Sequence, residues 1–149
     1  MIHIRSSTRP SPVASRLLQR AARAALANQS MDGDLSIVLT DDARLRQLNR
    51  EYLGIDAPTD VLSFPASETD PESGGSYLGD ILISVPRARQ QAGAAGHPLA
   101  SEVQLLVVHG VLHLLGHDHA TSEERSRMWA AQSAILASLG LADIHLTES

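Results

Sequence analysis

The stretch HGVLHLLGHDH, residues 109–119, places four histidines in eleven positions. Its pattern is His-x3-His-x5-His, from His109 through His113 to His119, with Gly116 between the last two. A helix brings residues four apart onto one face, so His109 and His113 address the same point. Gly116 turns the chain off the helix end, because glycine adopts a left-handed conformation that a side chain resists. The chain then returns His119 as a third ligand. Two imidazoles on one face of an apolar helix are costly to bury without a partner, and a metal ion is the economical one. Three imidazoles leave a fourth position open, the arrangement of a catalytic rather than a closed structural zinc site. The pattern predicts a metal-dependent hydrolase.

The residues around this motif set the fold class. Leu99, Val103, Leu106, Val107, Leu112 and Leu114 make residues 98–115 apolar around much of a helix, which is how a buried helix reads. Working outward, a helix over 13–28 opens behind Pro12, and Thr40 is the predicted N-cap of a second helix through Tyr52. Pro86 opens a short helix that stops around residues 93–96. Thr121 and Glu124 match a capping box for a last helix reaching toward Leu139, with Trp129, Ile135 and Leu136 packed on the core. Strands are predicted at residues 1–6, 35–39, 61–64 and 78–84. Residues 66–76, acidic and rich in Ser and Gly, read as a mobile excursion. The expected fold is α+β, a single small domain over residues 1–149, with a mixed sheet of about four strands packed with about five helices.

Composition narrows the function classes. With 43% hydrophobic residues the chain can build a core, and no apolar run is long enough to span a bilayer. No membrane association is expected, and an amino terminus without a signal segment makes the cytoplasm the expected location. Cysteine is absent, so any metal must be held by imidazole and carboxylate. The net charge of -5 is uneven: residues 1–50 carry eight Arg against four Asp, and residues 51–149 carry four Arg against thirteen acids. Arg16, Arg20 and Arg23 share a helical face, with Arg5 and Arg9 upstream. This row is either a solvated face or a local phosphate-binding strip.

The motif resembles the long signature of zinc proteases, except that Gly110 stands where those enzymes carry a glutamate as general base. The base must come from elsewhere, or be the metal-bound hydroxide. Asp80 is the candidate carboxylate, either catalytic or a partner to a ligand. The plain alternative for Asp80 is a backbone cap at a strand entrance. Asp118 is a candidate to hydrogen-bond a ligand imidazole. His117 and Ser63 are candidates for substrate contact, and Thr59 and Asp60 for the site wall.

Three ordered blocks, PTDVLSFP at 58–65, LGDI at 78–81 and HGVLHLLGHDH at 109–119, together with LNREY at 48–52, resemble the YbeY family of bacterial rRNA maturation factors, described as single-strand-specific endoribonucleases. The resemblance implies one zinc ion per chain held by His109, His113 and His119. It implies processing of the 16S rRNA 3′ end and ribosome quality control, with single-stranded rRNA, the small ribosomal subunit and assembly factors as partners. Asp80 matches the acidic residue of the LGD segment. Two positions depart from the pattern: Leu53 stands where family members carry an arginine implicated in activity, and Leu105 where they often carry histidine. Arg50 and Arg46 are the candidates to replace the missing arginine. The rival readings are an assembly protein with a mainly structural zinc, and a metal hydrolase of another substrate.

Overall fold

A four-stranded mixed sheet, ordered β1-β2-β4-β3, is the platform of the computed structural model, which describes residues 1–66, 77–118 and 120–144. The strands are β1 (Ile2–Ser6), β2 (Asp34–Thr40), β3 (Val61–Pro65) and β4 (Tyr77–Ser84). The helices are α1 (Ser15–Asn28), α2 (Asp42–Leu53), α3 (Val85–Ala95), α4 (Leu99–Leu114) and α5 (Ser122–Ser138). These elements are the expected α+β set of four strands and five helices. β1 pairs parallel with β2 and β2 with β4, while β3 runs antiparallel to β4 at the edge. A parallel neighbour requires a crossover, which α1 supplies between β1 and β2.

Strand alternation divides the apolar residues between two faces. Leu35, Ile37 and Leu39 of β2 and Ile81 and Ile83 of β4 are buried in one cluster with α1, α4 and α5. Leu62 of β3 and the half-buried Leu82 and Phe64 turn the other way, against Leu45 and Leu48 of α2. Helix α4 is buried along almost its whole length, from Glu102 to Leu112, as its all-round apolar sequence predicts. Leu105 is fully buried here, so this position serves the core.

Two boundaries differ from expectation for local reasons. Thr40 is still paired with Ser84 in the β2–β4 ladder, so Asp41 becomes the N-cap of α2 and accepts from the Arg44 N–H at 2.8 Å. Helix α1 starts at Ser15 and not at 13, because Ser11 Oγ donates to the Val13 carbonyl and Leu17 N–H turns to Ala14. Elsewhere the punctuation works as read: Thr121 accepts from Glu124 N–H at the start of α5.

Two polar clusters pin the elements at the carboxyl end of β4. Arg87 of α3 donates to both oxygens of Asp42 at 3.0 and 2.9 Å, and Ser84 Oγ donates to the same carboxylate at 2.9 Å. These hydrogen bonds, those from Arg87 first, hold the Asp42 carboxyl below its ordinary range. Nearby, Glu102 is fully buried in α4, 2.6 Å from His97 Nε2. Its Oε2 has no hydrogen-bond partner among the described residues. Burial pushes this carboxyl up, and the His97 contact only partly offsets it.

Candidate metal centre

The carboxyl end of α4 sets the geometry of the histidine pair. Gly116 adopts φ +96°, and His117 N–H reaches the Leu112 carbonyl while Gly116 N–H reaches that of His113. This is a Schellman closure, and it needs the left-handed glycine that the sequence supplies. One turn earlier, the imidazoles of His109 and His113 meet with Nε2 atoms 3.1 Å apart and ring planes 77° apart. Two nitrogens bound to one tetrahedral zinc at 2.0–2.1 Å would stand about 3.3 Å apart. The pair is therefore spaced to share one ion. Among the described residues, no three His, Cys, Asp or Glu side chains are grouped to hold a metal, and the third histidine of the motif, His119, lies outside the described residues.

His109 is only 6% exposed, and its other ring nitrogen, Nδ1, stands 3.1 Å from Gln132 Oε1 of α5. Trp129, one turn earlier on α5, meets the His109 ring edge-on at 6.2 Å. Trp129 is expected in the core from the sequence, whereas Gln132 is a site residue that the structure reveals. A glutamine within the helical stripe of Met128, Ile135 and Leu136 was the available signal.

Gly110 has a packing role. A Cβ there would stand 2.8 Å from Ile81 Cγ2, so α4 crosses β4 at a distance that excludes even a methyl group. Ser63 Oγ donates to the Gly110 carbonyl at 3.2 Å, which ties the edge strand to the same turn of helix. That hydroxyl is engaged with the backbone of the residue after His109.

The structure does not bring Asp80 to the imidazoles. Ile81 faces Gly110 on α4, so its neighbour Asp80 turns to the opposite face of the sheet. There Asp80 accepts from Tyr77 OH, which also hydrogen-bonds Ser36 at 2.7 Å. Burial, then the Asp80 hydrogen bond, push the Tyr77 hydroxyl up. Alternation along β4 was countable in the sequence. Which face met the histidine helix was not.

The remaining candidates are scattered. Arg46 and Arg50 sit on α2, the helix of that opposite face; both are exposed, and Arg46 pairs with Asp56 at 2.9 Å. Leu53 is exposed beside Tyr52 and Ile55. His117 is held by Gln29 at the end of α1, Nε2 to Oε1 at 2.7 Å, and Asp118 is exposed. Thr59 Oγ1 donates to the Val61 carbonyl, and the Asp60 carbonyl receives Ser84 N–H. Among the described residues, no helix is long and apolar enough to cross a membrane.

Comparison with known proteins agrees with this architecture. A family model described as Endoribonuclease YbeY matches residues 3–140. A protein of that name from Moorella thermoacetica is 50% identical over 133 residues, covering 83% of this chain and 85% of its own. Its counterpart from Pelotomaculum thermopropionicum is 47% identical over 130 residues, covering 84% and 86%. A Thermotoga maritima protein solved in solution matches with a TM-score of 0.58 at 22% identity, over 100% of this chain and 99% of its own, a likeness of fold. By the extent of the family match and the identity to these relatives, the chain belongs to the YbeY family.

Proposed function

We propose that this protein is a zinc-dependent endoribonuclease that cuts single-stranded rRNA, acting at the 16S 3′ end and in ribosome quality control. The observation that carries the metal assignment is the convergence of His109 and His113, with Nε2 atoms 3.1 Å apart on a buried helix. In this reading His109, His113 and His119 hold one zinc ion per chain. The names of the relatives support the nuclease reading.

Zinc bound by three imidazoles would supply Lewis-acid chemistry, polarising a phosphate oxygen or lowering the pKa of a water toward neutrality. The chain's own residues bind and orient. Gly110 brings no carboxylate to the position where zinc proteases hold their base, and Asp80 faces away across the sheet. A peptidase reading therefore lacks its proton acceptor at that position. Asp118, next to His119 in sequence, is the carboxylate we retain to orient an imidazole. Arg16, Arg20 and Arg23 are exposed along α1, whose carboxyl end is tied to His117 through Gln29. That row leads along the molecule toward the histidine turn and would track the phosphates of a single strand. The small ribosomal subunit and its assembly factors are the partners this activity requires.

The test is cleavage of a 16S rRNA precursor with and without chelator, by the wild-type protein and by His113→Ala. Metal-dependent cleavage that disappears in the variant is expected, with binding that weakens as salt rises. Cleavage undiminished in His113→Ala overturns the assignment. A 2′,3′-cyclic product end would identify the substrate's own hydroxyl as the nucleophile, in place of water.

A further inference from the structure

We infer that Gln132 is a positioning residue that sets the tautomer of His109 and so aims its Nε2 lone pair at the metal position. The inference rests on the reading of His109 and His113 as ligands given above. A neutral imidazole has one N–H and one acceptor nitrogen, and the hydrogen bond at one nitrogen determines the state of the other. Gln132 Oε1 is only an acceptor, so the His109 Nδ1 that faces it at 3.1 Å carries the proton. The lone pair is then left on Nε2, the atom directed at His113 Nε2.

The surroundings make this bond hard to replace. Gln132 is 5% exposed and His109 6%, so bulk water does not compete freely for either group. Trp129 lies edge-on to the same imidazole from one turn earlier on α5, which restricts rotation of the ring. Helix α5 thereby supplies both the acceptor and the wall. With the amide oxygen removed, a proton on Nδ1 would lose this acceptor in a buried site. The ring would shift toward the Nε2–H form, in which the nitrogen facing the metal position has no lone pair to give.

The test uses the full chain with Gln132→Leu, which removes the acceptor at similar size, and Gln132→Glu, which keeps it. Nitrogen-15 spectra of the metal-free protein, at a pH where the imidazoles are neutral, report the His109 tautomer directly. Zinc affinity is measured by competition with a chromophoric chelator, with fluorescence of Trp129, the chain's only tryptophan, as the reporter of uptake. We expect Nδ1–H in the wild type and in Gln132→Glu, and a shift toward Nε2–H in Gln132→Leu. Zinc affinity should fall about 10–100-fold in Gln132→Leu and stay within a few-fold in Gln132→Glu. A purely structural role would change stability but leave the tautomer of the folded protein as it is. A wild-type His109 found as Nε2–H overturns the inference without recourse to any variant. So does a Gln132→Leu protein with wild-type affinity. Zinc uptake equal in wild type and His113→Ala overturns the ligand reading itself, and the positioning role with it.

Discussion

Replacing Gly110 by alanine tests the contact that lets α4 lie on the sheet. In an isolated helix the change would stabilise by about 1 kcal/mol, since glycine is among the poorest helix formers. Here the new methyl would stand 2.8 Å from Ile81 Cγ2 and 3.2 Å from both Cγ1 and Cδ1. Carbon atoms prefer about 3.5–4.0 Å, so the helix and strand must part by roughly 0.7 Å or Ile81 must leave its rotamer. Neither is easy: Ile81 is fully buried and β-branched, and its Cγ2 is fixed close to the backbone. Overpacking of this kind costs about 1–3 kcal/mol, and three simultaneous short contacts place it near the upper end. The net expectation is a loss of about 2 kcal/mol, or roughly 4–8 °C in Tm for a chain of this size. Urea denaturation of the four members of a double-mutant cycle with Ile81→Ala checks the argument. In the Ile81→Ala background, itself about 2–5 kcal/mol less stable, the same change at 110 should be neutral or stabilising. A Gly110→Ala protein as stable as wild type, or equally destabilised in both backgrounds, would refute it.

Three further outcomes follow from the polar geometry. The Glu102 carboxyl is raised above its ordinary 4.5 by burial, so the folded state holds a proton that the unfolded chain releases. Its contribution to stability is therefore greatest below about pH 4.5 and declines as pH rises through the raised value. Thermal melts of Glu102→Gln and wild type should show the variant's relative stability improving from pH 4 to pH 7; a constant difference would sink this account. Asp42 is held low by Arg87, so this pair stabilises above pH 3.8 and its effect is lost as the carboxylate protonates in acid. Both side chains are partly exposed, so Arg87→Ala should cost about 1 kcal/mol near neutrality and less at pH 3, by denaturant titration. Asp80→Asn should leave rRNA cleavage within a few-fold of wild type, because the sheet separates it from the histidines; a loss comparable to His113→Ala would place Asp80 in the reaction.

Much of the architecture was legible from local chemistry. The apolar run of residues 98–115 marked the buried helix, Gly116 its end, and Thr121 the start of α5, because caps and turns depend on residues near in sequence. Thr40 lost the predicted cap to Asp41 through strand pairing with Ser84, a partner 44 positions away. The candidate site was legible in part for the same reason. His109 and His113 are one helical turn apart, so their convergence is a property of the helix. Asp80, Arg46 and Arg50 are candidates by chemical type, and their distance from the imidazoles depends on which face of the sheet each element covers.

By itself the sequence determined the elements, the histidine pair and its left-handed glycine, since each follows from residue type and spacing along one chain segment. The tertiary structure decided that Gly110 is a helix–sheet contact, that Asp80 faces away, and that Gln132 meets His109 from another helix. Those outcomes depend on which face of each strand and helix packs against which neighbour. Periodicity along the chain defines such faces but does not choose their partners.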